Sequence, residues 1–284
     1  MILVTGAGGK TGKAVIRALL ARGETVRAFV HRDEQTAAMR ALGVRAVSVG
    51  DMRDSSALLT AAEGARAIYH VCPNVSPDEV AIGRDAIAAA RRVGVSCFVY
   101  HSVLHPQIEA MPHHWDKLRV EEMLFDTDLD VTILQPAPYM QNILAGWRRI
   151  SEHGIYGFPY PPSTRLSLVD LDDVADVAAA VLTTPGHAAA TYELVGTPPL
   201  DQVAVAAAIG RALGRPIRAE PQSPEDFDAH ARAAGMGDYQ RETLVRMFRW
   251  YARSGLAGNS NTLRWLLGRA PTTLEGFLAC VIRG

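Results

Sequence analysis

Cysteine is scarce in this chain: Cys72, Cys97 and Cys280 are the only three in 284 residues. An odd number, with no CxxC pair and no metal-ligand spacing, excludes a disulfide framework and suits a reducing compartment. Charge of one sign is also lacking. With 29 Lys+Arg against 30 Asp+Glu the formal net charge is −1, so the total carries no electrostatic footprint for nucleic acid, and the expected partner is a small molecule. No apolar run is long enough to span a bilayer, and no basic leader precedes a hydrophobic stretch, so neither a membrane nor secretion is expected and the expected location is the cytoplasm. Internal repeats and low-complexity linkers are missing too. What remains is an α/β chain of a length that fits one core with an appended second part as well as two domains.

The most informative stretch is the first, Met1 to Gly12, MILVTGAGGKTG. Ile2, Leu3 and Val4 have the length and apolarity of a buried parallel strand, and a helical pattern starts again at Lys13. Between them Gly6 can take a tight turn, Gly9 lets backbone approach a pyrophosphate without a Cβ in the way, and Gly12 allows the helix to pack on the strand. Lys10 and Thr11 lie inside the turn. The N–H groups and positive dipole end of the following helix then face the phosphates. Such a glycine pattern is weak by itself, and its strength here comes from the strand before it and the helix after it.

Taken in order, a helix over Ala14–Leu19 leads to a second strand, Thr25–Val30, which closes a βαβ unit. A dinucleotide fold that binds NAD places an acid just past this strand for the adenosine ribose. Here the residues are His31 and Arg32. A guanidinium pairs with a 2′-phosphate where an acid would repel it, so the chemistry favours NADP(H); a solvated charge at the helix start is the plainer reading of Arg32. Asp51 and Met52 follow the third strand, Arg45–Val49, at the edge where open α/β sheets bind ligands. Asp51 is placed to accept from an adenine amino group, with a helix N-cap at Asp54 or Ser55 as the competing account of this segment. Cys72 and Pro73 follow the fourth strand, Ala67–Val71, at the same edge, where a packed thiol is the better reading of Cys72.

A helix over Asp78–Val93 and a strand over Cys97–Tyr100 deliver His101, Ser102 and His105 to that edge. The helix His113–Leu124 sets His113 and Lys117 one turn apart on one face. Strand Val131–Leu134 leads into Pro136 and Tyr139. Residues 143–165 then hold Trp147, Tyr156, Phe158 and Tyr160 among Gly and Pro, which reads equally as a loop-rich pocket wall or as a local apolar core. A strand at Leu166–Val169, a helix at Leu171–Leu182 and a strand at Thr191–Val195 return to the sheet, and the remainder is mostly helical. The expected fold is a Rossmann-type doubly wound parallel sheet with a smaller, mostly helical C-terminal substrate lobe. The sheet domain takes residues 1–142 with 166–195, and the lobe 143–165 with 196–284.

With TGAGGKTG at 5–12, His31-Arg32, YHS at 100–102, HHWDKLRVEEML at 113–124, LQPAPYMQNIL at 134–144 and LLGRAPTTLEGFL at 266–278, the chain resembles the NmrA-like atypical short-chain dehydrogenases over nearly its whole length. That family includes quinone reductases and redox-sensing regulators. The resemblance implies NADP(H) along the sheet edge, with room for a homodimer or a regulatory protein partner. Classical short-chain dehydrogenases use Tyr-x-x-x-Lys, in which the lysine holds the nicotinamide ribose and lowers the tyrosine pKa. Here Lys117 is present and His113 stands where the tyrosine would.

Two functions follow from that difference. In the first, the chain is an NADPH-dependent reductase of a flat conjugated electrophile such as a quinone or enone. Lys117, His113 and Ser102 are its candidate catalytic residues, and Tyr139, Trp147, Phe158 and Tyr160 are the candidate pocket aromatics. His113, with an ordinary pKa near 6.5, is either the proton donor or a partly exposed helix residue. In the second, the chain is a non-catalytic NADP(H) sensor that acts through a protein partner. A metal cluster of His101, His105 and His114 is not expected, because no carboxylate or cysteine completes a ligand spacing.

Overall fold

The computed structural model describes residues 1–283. Its elements run β1 (Ile2–Val4), α1 (Lys10–Ala21), β2 (Val26–Val30), α2 (Glu34–Ala41), β3 (Ala46–Val49), α3 (Ser55–Ala62), β4 (Ala67–His70), α4 (Glu79–Val93), β5 (Cys97–His101), α5 (Pro112–Phe125) and β6 (Val131–Pro136). A 3-10 segment (Met140–Gly146), α6 (Trp147–His153), β7 (Ile155–Tyr156), α7 (Leu171–Thr183), β8 (Ala190–Leu194), α8 (Gln202–Leu213), β9 (Arg218–Ala219), α9 (Pro224–Ala233), α10 (Asp238–Ser254), α11 (Asn261–Leu267) and α12 (Leu274–Arg283) follow. Seven strands form one sheet in the order β3-β2-β1-β4-β5-β6-β8. The pairings from β3 through to β6 are parallel. The chain moves outward on one side of β1 and then crosses to β4 on the other, so this is a doubly wound Rossmann-type sheet whose strand order reverses beside β1.

The chain divides into two compact units. One comprises residues 1–109, 113–135 and 174–192, and the other 110–112, 136–173 and 193–284. Strands β1, β4 and β6 are buried along their whole length and β5 nearly so, as strands covered on both faces are, whereas the edge strand β3 is half-buried to exposed. Leu3, Phe29, Ile68, Phe98, Tyr100 and Ile133 pack with Leu58, Ile82, Ala86 and Val120 of the helices. Asp54 caps α3, accepting from the amides of Ser56 and Ala57, which favours the N-cap reading of that segment. In the second unit Met140, Ile143, Ile150 and Tyr156 pack with Val205 and Ile209 of α8 and with Phe277 and Leu278 of α12. The two-stranded pair β7–β9 is parallel and belongs to this unit.

Residues 136–142 and 166–173 belong to the second unit, not to the sheet domain where the sequence had put them. The reason lies in their backbone bonding: the Met140 amide donates to the Val169 carbonyl at 2.9 Å, and the Val169 amide to the Pro138 carbonyl at 3.0 Å. The two segments therefore hold each other. The strand expected at 166–169 is reduced to isolated bridges, and the first part of 143–165, a stretch read as either a loop-rich wall or a local apolar core, is helical, in the 3-10 segment and α6.

Candidate active site

The carboxyl end of β1 opens directly into the glycine turn. Gly6 has φ +55°, and a Cβ there would stand 2.7 Å from the Val71 carbonyl oxygen, so neither the conformation nor the space admits a side chain. A Cβ on Gly12 would lie 2.5 Å from the Gly6 carbonyl oxygen and 2.7 Å from the Ala7 Cα, so the first turn of α1 closes against the glycine turn itself. Gly9 is the N-cap of α1, contributes no side-chain cap, and is followed by a first turn without an acidic residue. A helix start built this way accepts an anion at its dipole end, so the cradle fits the pyrophosphate of a dinucleotide.

At the end of β2, His31 and Arg32 are exposed, and their backbone amides both donate to Oε1 of Gln35 at 3.1 Å. The Gln35 amide group lies over Gly8, since a Cβ on Gly8 would fall 2.2 Å from its Nε2. Gln35, which the sequence analysis missed, ties the turn that presents Arg32 to the glycine loop. Asp51 is engaged by its neighbour: Arg53 donates to it through Nε at 3.1 and 3.0 Å and through Nη2 at 2.6 Å. These hydrogen bonds, the side-chain ones first, hold the Asp51 carboxyl at about 2. An adenine amino group would have to compete with that pairing. Met52 is buried under the same edge.

Beyond β4 the turn carries Cys72, buried, and Pro73, exposed. Burial, reinforced by the Glu79 charge, pushes the Cys72 thiol well above its ordinary pKa, which makes it inert. Val75, in the same turn, has φ +53°, an unusual conformation for a β-branched residue and a local store of strain at the ligand edge.

Helix α5 is pinned across the ends of β5 and β6 by two residues one turn apart. Lys117 Nζ donates to Glu79 Oε1 at 3.0 Å and to the His101 carbonyl at 3.3 Å, and it lies 5.4 Å from the centre of the Tyr100 ring. Glu121 receives the Ser102 hydroxyl, and Gln135 Nε2 donates to its two oxygens at 3.0 and 2.9 Å. Burial raises the Glu121 pKa, against the lowering effect of these donors. The hydroxyl of Ser102, a candidate catalytic group, donates into this buried network.

His113 is half-buried, as the reading of it as a partly exposed helix residue expects. Desolvation of its ring, with the nearby His114 and Lys117, lowers its pKa from the ordinary 6.5. Its Nδ1 is buried without a hydrogen-bond partner, and its ring meets that of His114 edge-on at 4.6 Å. Neighbouring rings are neutral. Burial brings His101 to about 3 and His114 to about 4, the first sharing a 2.5 Å hydrogen bond with the Tyr69 hydroxyl and the second donating to the His105 carbonyl at 3.2 Å. Among the described residues no group of three or more His, Cys, Asp or Glu side chains could hold a metal ion, and no helix is long and apolar enough to cross a membrane.

The NmrA-like family profile matches residues 1–278. The chain belongs to the NmrA-like family. Among its NmrA-like relatives, "Quinone oxidoreductase 2" of Escherichia coli is 28% identical over 96% of each chain. The "NAD(P)H azoreductase" of Xenophilus azovorans is 29% identical over 98% of this chain and 96% of the relative. An NADPH-dependent quinone oxidoreductase from Escherichia coli, crystallised with NADPH, has the same fold at a TM-score of 0.86 and 27% identity, covering 99% of this chain and 100% of that one.

In the second unit the expected pocket residues serve largely as core. Tyr160 is buried, with its ring stacked on Phe158 at 5.9 Å and set against Tyr251 at 6.0 Å and Phe248 at 6.2 Å. It is not an open wall residue, and the local-core reading of this stretch holds for it. Trp147 and Phe158 are half-buried and pack on the apolar cluster of the same unit. Pro136 is buried, whereas Tyr139 is half-buried and bridges to Val169. Glu79 was missed as a site residue because a carboxylate at a helix start reads as a solvated charge, and Glu121 because it stands in a charged stretch of α5. The signal available for Glu121 was its i, i+4 relation to Lys117.

Proposed function

We propose that this NmrA-like chain is an NADPH-dependent oxidoreductase that passes hydride to a flat, conjugated electrophile such as a quinone or an enone. The observation that carries the reading is the pair formed by the uncapped glycine cradle of α1 and Lys117. The first suits the pyrophosphate. The second has two of its N–H donors taken by Glu79 and His101, and a third suits the nicotinamide ribose hydroxyls. Arg32 at the end of β2 supports NADPH over NADH by pairing with the 2′-phosphate. The names of the relatives, a quinone oxidoreductase and an azoreductase, support a conjugated acceptor.

When bound, the cofactor supplies a hydride at its nicotinamide ring. The chain's own residues then orient the ring and need not donate a proton. Hydride addition to a quinone leaves an aromatic monoanion, which takes its proton from water, so a His113 with lowered pKa and a Ser102 hydroxyl directed at Glu121 do not obstruct the reaction. An alcohol-forming reduction is less compatible with this site, because there the proton must arrive with the hydride.

The second reading, an NADP(H) sensor acting through a protein partner, draws on the same loss of an acidic donor at position 113. The two separate in one assay. Purified protein mixed with NADPH and a panel of quinones and enones should consume NADPH above background; tight NADPH binding without consumption would sink the enzyme reading in favour of the sensor.

A further inference from the structure

Glu79 is the first residue of α4, a position where a carboxylate ordinarily faces water and complements the helix dipole. Here it is 3% exposed. A carboxylate withdrawn from water in this way is strongly unfavourable unless it is paired and hydrogen-bonded. Its Oε1 receives both the Lys117 ammonium at 3.0 Å and the Tyr100 hydroxyl at 2.8 Å. Those donors come from α5 and β5, so one oxygen fixes three elements at one point. Lys117 is itself only 13% exposed along its side chain, and its second donor is taken by the His101 carbonyl at 3.3 Å. With two directions fixed, the remaining N–H has a defined direction in place of the several that a free lysine samples.

The approach of the two helices makes this contact possible. Gly83, one turn along α4 from Glu79, faces Val120 of α5 so closely that a Cβ would fall 2.6 Å from the Val120 Cγ2. Without that contact the Glu79 carboxylate would stand farther from Lys117.

We infer that Glu79 is the positioning residue of the site: it orients Lys117 toward the nicotinamide ribose, with Tyr100 holding the carboxylate in place. The inference rests on the assignment of Lys117 to that ribose. It gives the histidine-for-tyrosine site a compensating device, since the lysine that in the wider superfamily is placed beside a catalytic tyrosine is here placed by a buried carboxylate.

The test compares two ligands. NADPH includes the nicotinamide ribose and 2′,5′-ADP does not, so an effect exerted through Lys117 weakens the first alone. Glu79→Gln keeps the shape and removes the charge; it should raise the NADPH dissociation constant about tenfold, as loss of a charge-assisted contact does, and leave 2′,5′-ADP binding unchanged. Lys117→Gln should do the same, and the double variant should be no weaker than Lys117→Gln alone. If Lys117→Gln leaves NADPH binding unchanged, the ribose assignment fails. If Lys117→Gln weakens NADPH and Glu79→Gln does not, or if Glu79→Gln weakens both ligands equally, the positioning role alone is overturned. Should Glu79→Gln fail to fold, Tyr100→Phe removes the other donor while leaving both charges in place. It should weaken NADPH several-fold and spare 2′,5′-ADP, and unchanged NADPH binding would again overturn the role.

Discussion

Arg32 stands exposed at the end of β2 with its backbone amide held by Gln35, and in the proposed function it pairs with the 2′-phosphate of NADPH. A hydrogen bond to a charged group contributes about 1.5–3 kcal/mol. Arg32→Asp should therefore weaken NADPH by roughly ten- to a hundredfold and spare NADH, as measured by titration with each. An unchanged NADPH affinity would show that Arg32 does not bind the phosphate. At this scale the sequence was legible where a residue's role is set by its neighbours in the chain. The glycines are of that kind, because turn geometry is local. The role of Glu79, by contrast, depends on Lys117, 38 positions away, and that of Ser102 on Glu121, 19 away. No local pattern records either contact. His113 was read at its ordinary pKa because burial cannot be known until the helix is docked.

Elements were legible where hydrophobic period and caps agree. The helix expected at 113–124 is α5, and the six strands expected between residues 2 and 134 are β1 to β6. Residues 143–165 were less so: their Gly and Pro content suggested loop, yet Ile143, Ile150 and Tyr156 bury themselves against α8 and α12, and tertiary packing overrides propensity there. Between α4 and α5 the decisive residue is Gly83. Gly83→Ala would place a methyl against Val120 and push the helices apart, so it should destabilise by roughly 1–3 kcal/mol, read as a lower urea midpoint. It should also weaken NADPH through Glu79 and Lys117. A variant as stable as the parent would mean that Val120 yields without moving α5.

At the scale of the whole molecule, three histidines are kept neutral by burial: His70 at about 4, His101 at about 3 and His114 at about 4, against an ordinary 6.5. Below about pH 6.5 the unfolded chain binds protons at these rings while the folded chain does not. Stability is then full above that pH and falls as the pH drops toward 4, by roughly 1.4 kcal/mol per pH unit for each ring that stays neutral. Thermal melts from about pH 7.5 to about 4.5 should show a steadily falling midpoint; a level midpoint would contradict the burial of these rings as neutral groups. The central claim, that the dinucleotide is a reagent in this molecule, is met most directly by a single turnover. Protein saturated with NADPH and mixed rapidly with 1,4-benzoquinone should lose its nicotinamide absorbance in one step, and the step should slow when the transferred hydrogen is deuterium. Persistence of that absorbance, with NADPH still bound after mixing, would contradict it.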